Sequence, residues 1–143
     1  MIGTVALGGQ SEKSDYSNYG VGAADIAAPG GNGLTGDCTN ADMILSTLPG
    51  NSYGCISGTS MASPHAAGVV ALIVSQFGQL KNGDVALTYD KAFSILTSTA
   101  VDLGAAGYDG CFGFGRIDAL RAVTRDTRAA SDPSAPACTE SGQ

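Results

Sequence analysis

The sequence contains no tryptophan, one histidine, and seven Lys or Arg residues against thirteen Asp or Glu. Each shortage excludes something. A chain of net charge −6 without a basic cluster offers nothing to a phosphate backbone, which removes nucleic acid as a partner. An anionic membrane surface repels the same chain. No run reaches the roughly 20 apolar residues that span a bilayer. The longest, from Ala66 to Val74, reads as buried helix. The opening "MIGTVALGGQ" lacks the basic and long apolar regions of a signal peptide. With one histidine and no closely spaced cysteines, ligands for a zinc site are in short supply, and no metal residues are assigned.

What is present is small and polar. Hydrophobic residues make up 43% and charged residues only 14%, so much of the surface must be Ser, Thr, Gly and Asn. The length of 143 residues suffices for one domain with a real core. The cysteines are Cys38, Cys55, Cys111 and Cys138. Two disulfides in an oxidising compartment fit this spacing, with Cys38–Cys55 and Cys111–Cys138 as nearest neighbours. Spacing alone allows three pairings, and buried free thiols are the alternative.

Periodicity predicts strands at Ile2–Leu7, Ala24–Ala28, Met43–Leu48 and Ser52–Ser57, the last two joined by a turn at Pro49-Gly50. From Ser60 to about Phe77 the pattern is helical and apolar on every side, which predicts a central, buried helix. Gly68 within it is expected to admit another backbone. A second helix is predicted over Thr88–Thr97, and a last short one after Asp118 as N-cap. Residues 1–126 form one unit. The composition then shifts to Ala, Ser, Pro and Thr, and residues 127–143 read as a tail or linker.

The stretch "SGTSMASPHAAGVVALI" carries the chemistry. Ser60 sits at a helix start after Gly58 and Thr59. Gly58 leaves its approach open, and helix N-terminal amides can stabilise an oxyanion. Pro64 lacks an N–H and clashes with the carbonyl four residues back, that of Ser60, so the first turn should be distorted there. His65 is five residues from Ser60, about 140° around the helix, and cannot be its general base. Pro64 and His65 are therefore structural. No other histidine exists, so the chain cannot supply a Ser-His-Asp triad by itself.

The same stretch resembles the nucleophile motif of the subtilisin-like serine peptidases, the subtilases. "SDYSNYGVGAADIAAPGG", "ILSTLPGNSYGCISGTS" and "GCFGFGRIDALRAV" are similar to further family segments in the same order. The resemblance spans roughly residues 1–125. It implies an α/β fold with a mostly parallel sheet, the C-terminal portion of the subtilase catalytic domain. It implies Ser60 as nucleophile, the Ser60 amide in the oxyanion hole with Thr59 supporting it, and Met61 on the leaving-group side. The parent protein is then expected to be a secreted endopeptidase acting on protein or peptide substrates. The family's catalytic Asp and His and its oxyanion Asn belong ahead of Met1, so this chain alone is expected to be inactive. The alternatives are a non-catalytic interaction module, or a half complemented by a separate N-terminal chain. Calcium is a family expectation, with Asp37, Asn40 and Asp42 as a weak loop beside the simpler reading of a solvated acidic turn.

Overall fold

The computed structural model describes residues 1–33, 38–39 and 42–138. In chain order the elements are β1 (Thr4–Leu7), β2 (Ile26–Pro29), β3 (Ile44–Leu48), β4 (Ser52–Ile56), α1 (Thr59–Phe77), β5 (Gln79–Lys81), β6 (Asp84–Ala86), α2 (Tyr89–Ser98) and α3 (Ala119–Thr124).

The centre is a short parallel pair. β1 and β2 run side by side with Val5 opposite Ala27 and Ala6 opposite Ala28. The parallel pattern extends one step further, because the Ala27 N–H donates to Gly115 and the Ile117 N–H donates to Ala27, both at 2.9 Å. Side chains alternate across a strand, so the pair has two apolar faces. Ala6, Ile26 and Ala28 face α1 and share one buried cluster with residues of α2 and α3. Val5, Leu7 and Ala27 meet Leu103, Cys111 and Phe112 on the other side. Coverage on both faces is what a parallel sheet requires. β3–β4 and β5–β6 are antiparallel hairpins outside this core. The fold is thus mixed α/β, with its parallel pairing confined to the centre.

α1 buries Ala62, Ala66, Val69 and Ile73, a stripe at steps of three and four residues. Its other faces are open: Leu72 is 47% exposed, and a Cβ added at Gly68 would meet nothing within 4 Å. Two expectations are corrected here. The helix is apolar all round but buried on one stripe, because the sheet, α2 and α3 all pack against the same side. Gly68, on an open face, meets no neighbouring backbone among the described residues. By length and composition α1 could cross a membrane; here its buried stripe forms the core.

α2 and α3 lie close to their predicted positions. The Asp118 carboxylate accepts the Arg121 amide at 2.9 Å, the N-cap bond expected of it. The β5–β6 hairpin went unpredicted, although its turn is Asn82-Gly83 with φ of 54° and 85°. Asn-Gly is a strong hairpin signal, but strands of three residues leave too little alternation to see.

The described part of the segment after residue 126 lies against the body. The Asp102 N–H donates to Ala130 at 2.8 Å, and the Asp132 N–H donates to Asp102 at 3.0 Å. Arg116 pairs with Asp132 at 3.1 Å. Hydrogen bonds from Ser134, and then Arg116, hold the Asp132 carboxyl below the usual carboxylate range. Disulfides join Cys38 to Cys55 and Cys111 to Cys138, the nearest-neighbour pairing.

The one-sided burial of α1 predicts unequal mutational costs. Ile73→Ala should destabilise the protein by about 2–5 kcal/mol through the cavity it leaves. Leu72→Ala, one residue on, should cost less than about 1 kcal/mol. Urea unfolding of both variants checks the contrast, and equal losses would contradict the packing.

Candidate active site

Ser60 stands in the first turn of α1, exposed, where β4 passes into the helix. The turn begins at Gly58, whose backbone is extended (φ 159°, ψ 159°). Its carbonyl accepts both the Met61 amide at 2.9 Å and the Ala62 amide at 3.3 Å. Pro64 lies inside the helix without breaking it, and the Ser60 carbonyl loses the donor that a Pro64 N–H would have been. The first turn is therefore tightened rather than broken. No hydrogen bond is accepted from the Thr59 or Ser60 amides among the described residues. These are the orphan donors of a helix start, and they lie at its positive end. A Cβ at Gly58 would stand 3.7 Å from the Ser60 nitrogen and 3.6 Å from the Met61 sulfur, so glycine leaves the space beside that amide clear.

The Ser60 hydroxyl makes no hydrogen bond among the described residues. His65 is exposed, and its Nδ1 contacts the Met61 carbonyl at 2.8 Å, not Ser60. The geometry thus separates Ser60 from His65. Beside Ser60 lies an open depression of about 430 Å³ lined by Ile2, Thr4, Thr59, Ser60, Ser63 and Pro64.

The Ser57–Ser60 loop is held from behind by the end of β2. The Gly58 N–H donates to the Gly30 carbonyl at 2.8 Å. The Ser57 hydroxyl donates to the Gly33 carbonyl at 2.9 Å. Gly30 must be glycine for this approach: a Cβ there would lie 2.5 Å from the Ala6 Cβ and 2.9 Å from the Gly58 oxygen. The Gly30 and Gly31 amides in turn donate to the Leu7 carbonyl at 2.9 Å.

A second layer fixes the Gly30-Gly31 carbonyls. The Tyr16 hydroxyl donates to Gly30 at 2.9 Å and also bonds Gly31. The buried Ser14 hydroxyl donates to Gly31 at 2.7 Å. The buried Ser17 oxygen accepts the Ala6 amide at 3.0 Å. Sequence reasoning assigns Ser14, Tyr16 and Ser17 no individual role, since they stand in a polar, turn-forming stretch. Nothing in their spacing marks them, since their partners are backbone carbonyls and amides distant in sequence.

The calcium expectation concerns Asp37, Asn40 and Asp42. Asp37 and Asn40 lie outside the described residues. Asp42 accepts the Gly9 amide through its carboxylate. No group of three or more His, Cys, Asp or Glu side chains converges among the described residues. No calcium ligand set is assigned.

A family model described as the Subtilase family matches residues 1–115. The chain is 41% identical over 113 residues to the halolysin-like extracellular serine protease Nep of Natrialba magadii, covering 79% of this chain and 17% of that protein. It is 37% identical over 109 residues to subtilisin of Bacillus pumilus, covering 76% and 33%. Among solved structures, a lanthipeptide protease superposes with a TM-score of 0.73 at 25% identity, covering 87% of this chain and 42% of that one. Proteases from Pseudoalteromonas arctica superpose with a TM-score of 0.66 at 35% identity, covering 87% and 35%. The chain belongs to the subtilase family. It spans about a sixth to a third of the length of these two curated relatives.

The bracket behind Ser60 has a mutational signature. Tyr16→Phe should cost about 1 kcal/mol, the ordinary worth of one hydrogen bond. Gly30→Ala should cost more than about 2 kcal/mol through overpacking. The clash is with Ala6, so Ala6→Gly should recover part of the Gly30→Ala loss in a double-mutant cycle by urea unfolding. Simple additivity of the two losses would contradict the assigned contact.

Proposed function

We propose that the whole protein is a secreted serine endopeptidase, and that Ser60 is its nucleophile. The observation that carries this reading is the pairing of an exposed, unbonded Ser60 hydroxyl with free Thr59 and Ser60 amides at the start of α1. Family membership adds to it, as do relatives named as extracellular proteases. In this reading Ser60 Oγ attacks a peptide carbonyl and passes its proton to a histidine supplied from elsewhere in the protein. The carbonyl oxygen gains negative charge, and the Ser60 amide donates to it. The leaving amine takes the proton, the acyl-enzyme remains on Ser60, and water releases it. Thr59 supports the oxyanion side. Met61, whose sulfur lies against Gly58, borders the leaving group and is a site for oxidative inactivation.

The base, its aspartate and the second oxyanion donor are not among these 143 residues in this reading. The isolated chain is therefore inactive. A separately encoded N-terminal chain could complement it, and the open faces of α1 favour that arrangement over an independent module.

Labelling with a fluorophosphonate probe tests the assignment. The intact protein should label at Ser60, and Ser60→Ala should abolish labelling. The 143-residue chain alone should label at least about 10⁴-fold more slowly, the scale on which loss of a triad base acts. Labelling of the intact protein at another serine would overturn the role given to Ser60. Fast labelling of the isolated chain would overturn its predicted inactivity.

A further inference from the structure

The seven basic side chains are not used alike. Arg116 pairs with Asp132 at 3.1 Å, Arg121 with Asp126 at 3.3 Å, and Arg128 with Asp126 at 2.6 Å. Lys13 lies 4.7 Å from the centre of the Tyr19 ring and donates to the Ser14 carbonyl at 3.3 Å. The remaining three, Lys81, Lys91 and Arg125, make no ion pair among the described residues. All three line one hollow of about 740 Å³, at the far end of α1 from Ser60. The helix separates the two places by roughly 25 Å at 1.5 Å per residue.

The hollow is built from both kinds of surface. Phe77, Leu80, Leu87 and Ile95 form its apolar part, and Leu80 is 79% exposed. Arg125 lies over the Phe77 ring, its guanidinium carbon 5.6 Å from the ring centre, which orients it on the rim. Asp90 is the one acidic residue in the lining. In the lining three cations without an ion pair among the described residues stand against one carboxylate, with Asp84 opposite Lys81 across the β5–β6 hairpin, in a chain of net charge −6. The volume lies within the range of small-molecule sites.

We propose that this hollow binds a monocarboxylate carried on an apolar stem. The stem covers Leu80, Leu87 and Ile95, and the carboxylate meets Lys91 and Arg125 with Lys81 at the edge. A single negative charge suits the site better than several, because Asp90 repels additional ones. Such a ligand has two sources: a free fatty acid, or the C-terminal carboxylate of a peptide ending in an apolar residue. The proposal does not depend on the role given to Ser60.

Calorimetric titration of the intact Ser60→Ala protein tests it, with decanoate, decanol and decyltrimethylammonium as probes. Decanoate should bind at least about tenfold more tightly than either other probe, the scale of a charge-assisted contact. Lys91→Gln with Arg125→Gln should remove that preference, whereas Lys91→Arg with Arg125→Lys should keep it. A hexapeptide ending in leucine, as free acid and as amide, separates the sources. Displacement of decanoate by the acid but not the amide assigns a peptide terminus; no displacement by either assigns the free amphiphile. Equal binding of decanoate and decanol, or a preference that survives the double Gln variant, overturns the proposal.

Discussion

The Gly30 carbonyl is the joint on which the candidate site depends. It accepts the Gly58 amide at 2.8 Å and the Tyr16 hydroxyl at 2.9 Å, so one oxygen links the end of β2, the 14–17 turn and the loop before α1. A single neutral hydrogen bond contributes only about 1 kcal/mol to stability. Its importance here is geometric. It fixes where the chain leaves the sheet, and so where the orphan amides of Thr59 and Ser60 point. The Gly30 backbone can approach this closely only without a Cβ.

The joint is rigid because what lies behind it is packed from both sides. Ala6 and Ala28 present small side chains toward α1, allowing Ala62 and Ala66 to seat the first turns of the helix on the sheet. Val5, Leu7 and Ala27 are closed from the other side by Leu103 and Phe112. Residues from the middle of the chain and from the 103–112 stretch thus clamp the same strand pair. Burial of this apolar surface supplies the stabilising free energy, and the polar bracket of Ser14, Tyr16 and Ser17 selects the conformation of the loop on top.

How far this was legible in the sequence varied with the kind of signal. α1 was readable because its start and apolar run are long, and Asp118 because a cap is local chemistry. The separation of Ser60 from His65 followed from helix geometry alone. The openness of α1 was not readable: an apolar surface says what a helix can bury, not how much of it neighbours reach, as Leu72 and Gly68 show. The Asn82-Gly83 hairpin carried a visible turn signal but strands too short to confirm it. Tyr16 and Ser14 were illegible because their partners are carbonyls 14 to 17 residues away, and a carbonyl has no sequence identity.

The central claim is that the approach to Ser60 is held rigid by backbone contact with Gly30. Native-state amide hydrogen exchange at Gly58 tests it most directly, since that N–H is the donor in the contact. The account predicts that Gly58 exchanges only through the opening that releases the core amides of β2, with a protection factor close to theirs. Tyr16→Phe should leave that protection largely in place, because the Gly58 bond itself remains. Fast exchange at Gly58 beside slow exchange in β2 would contradict the account.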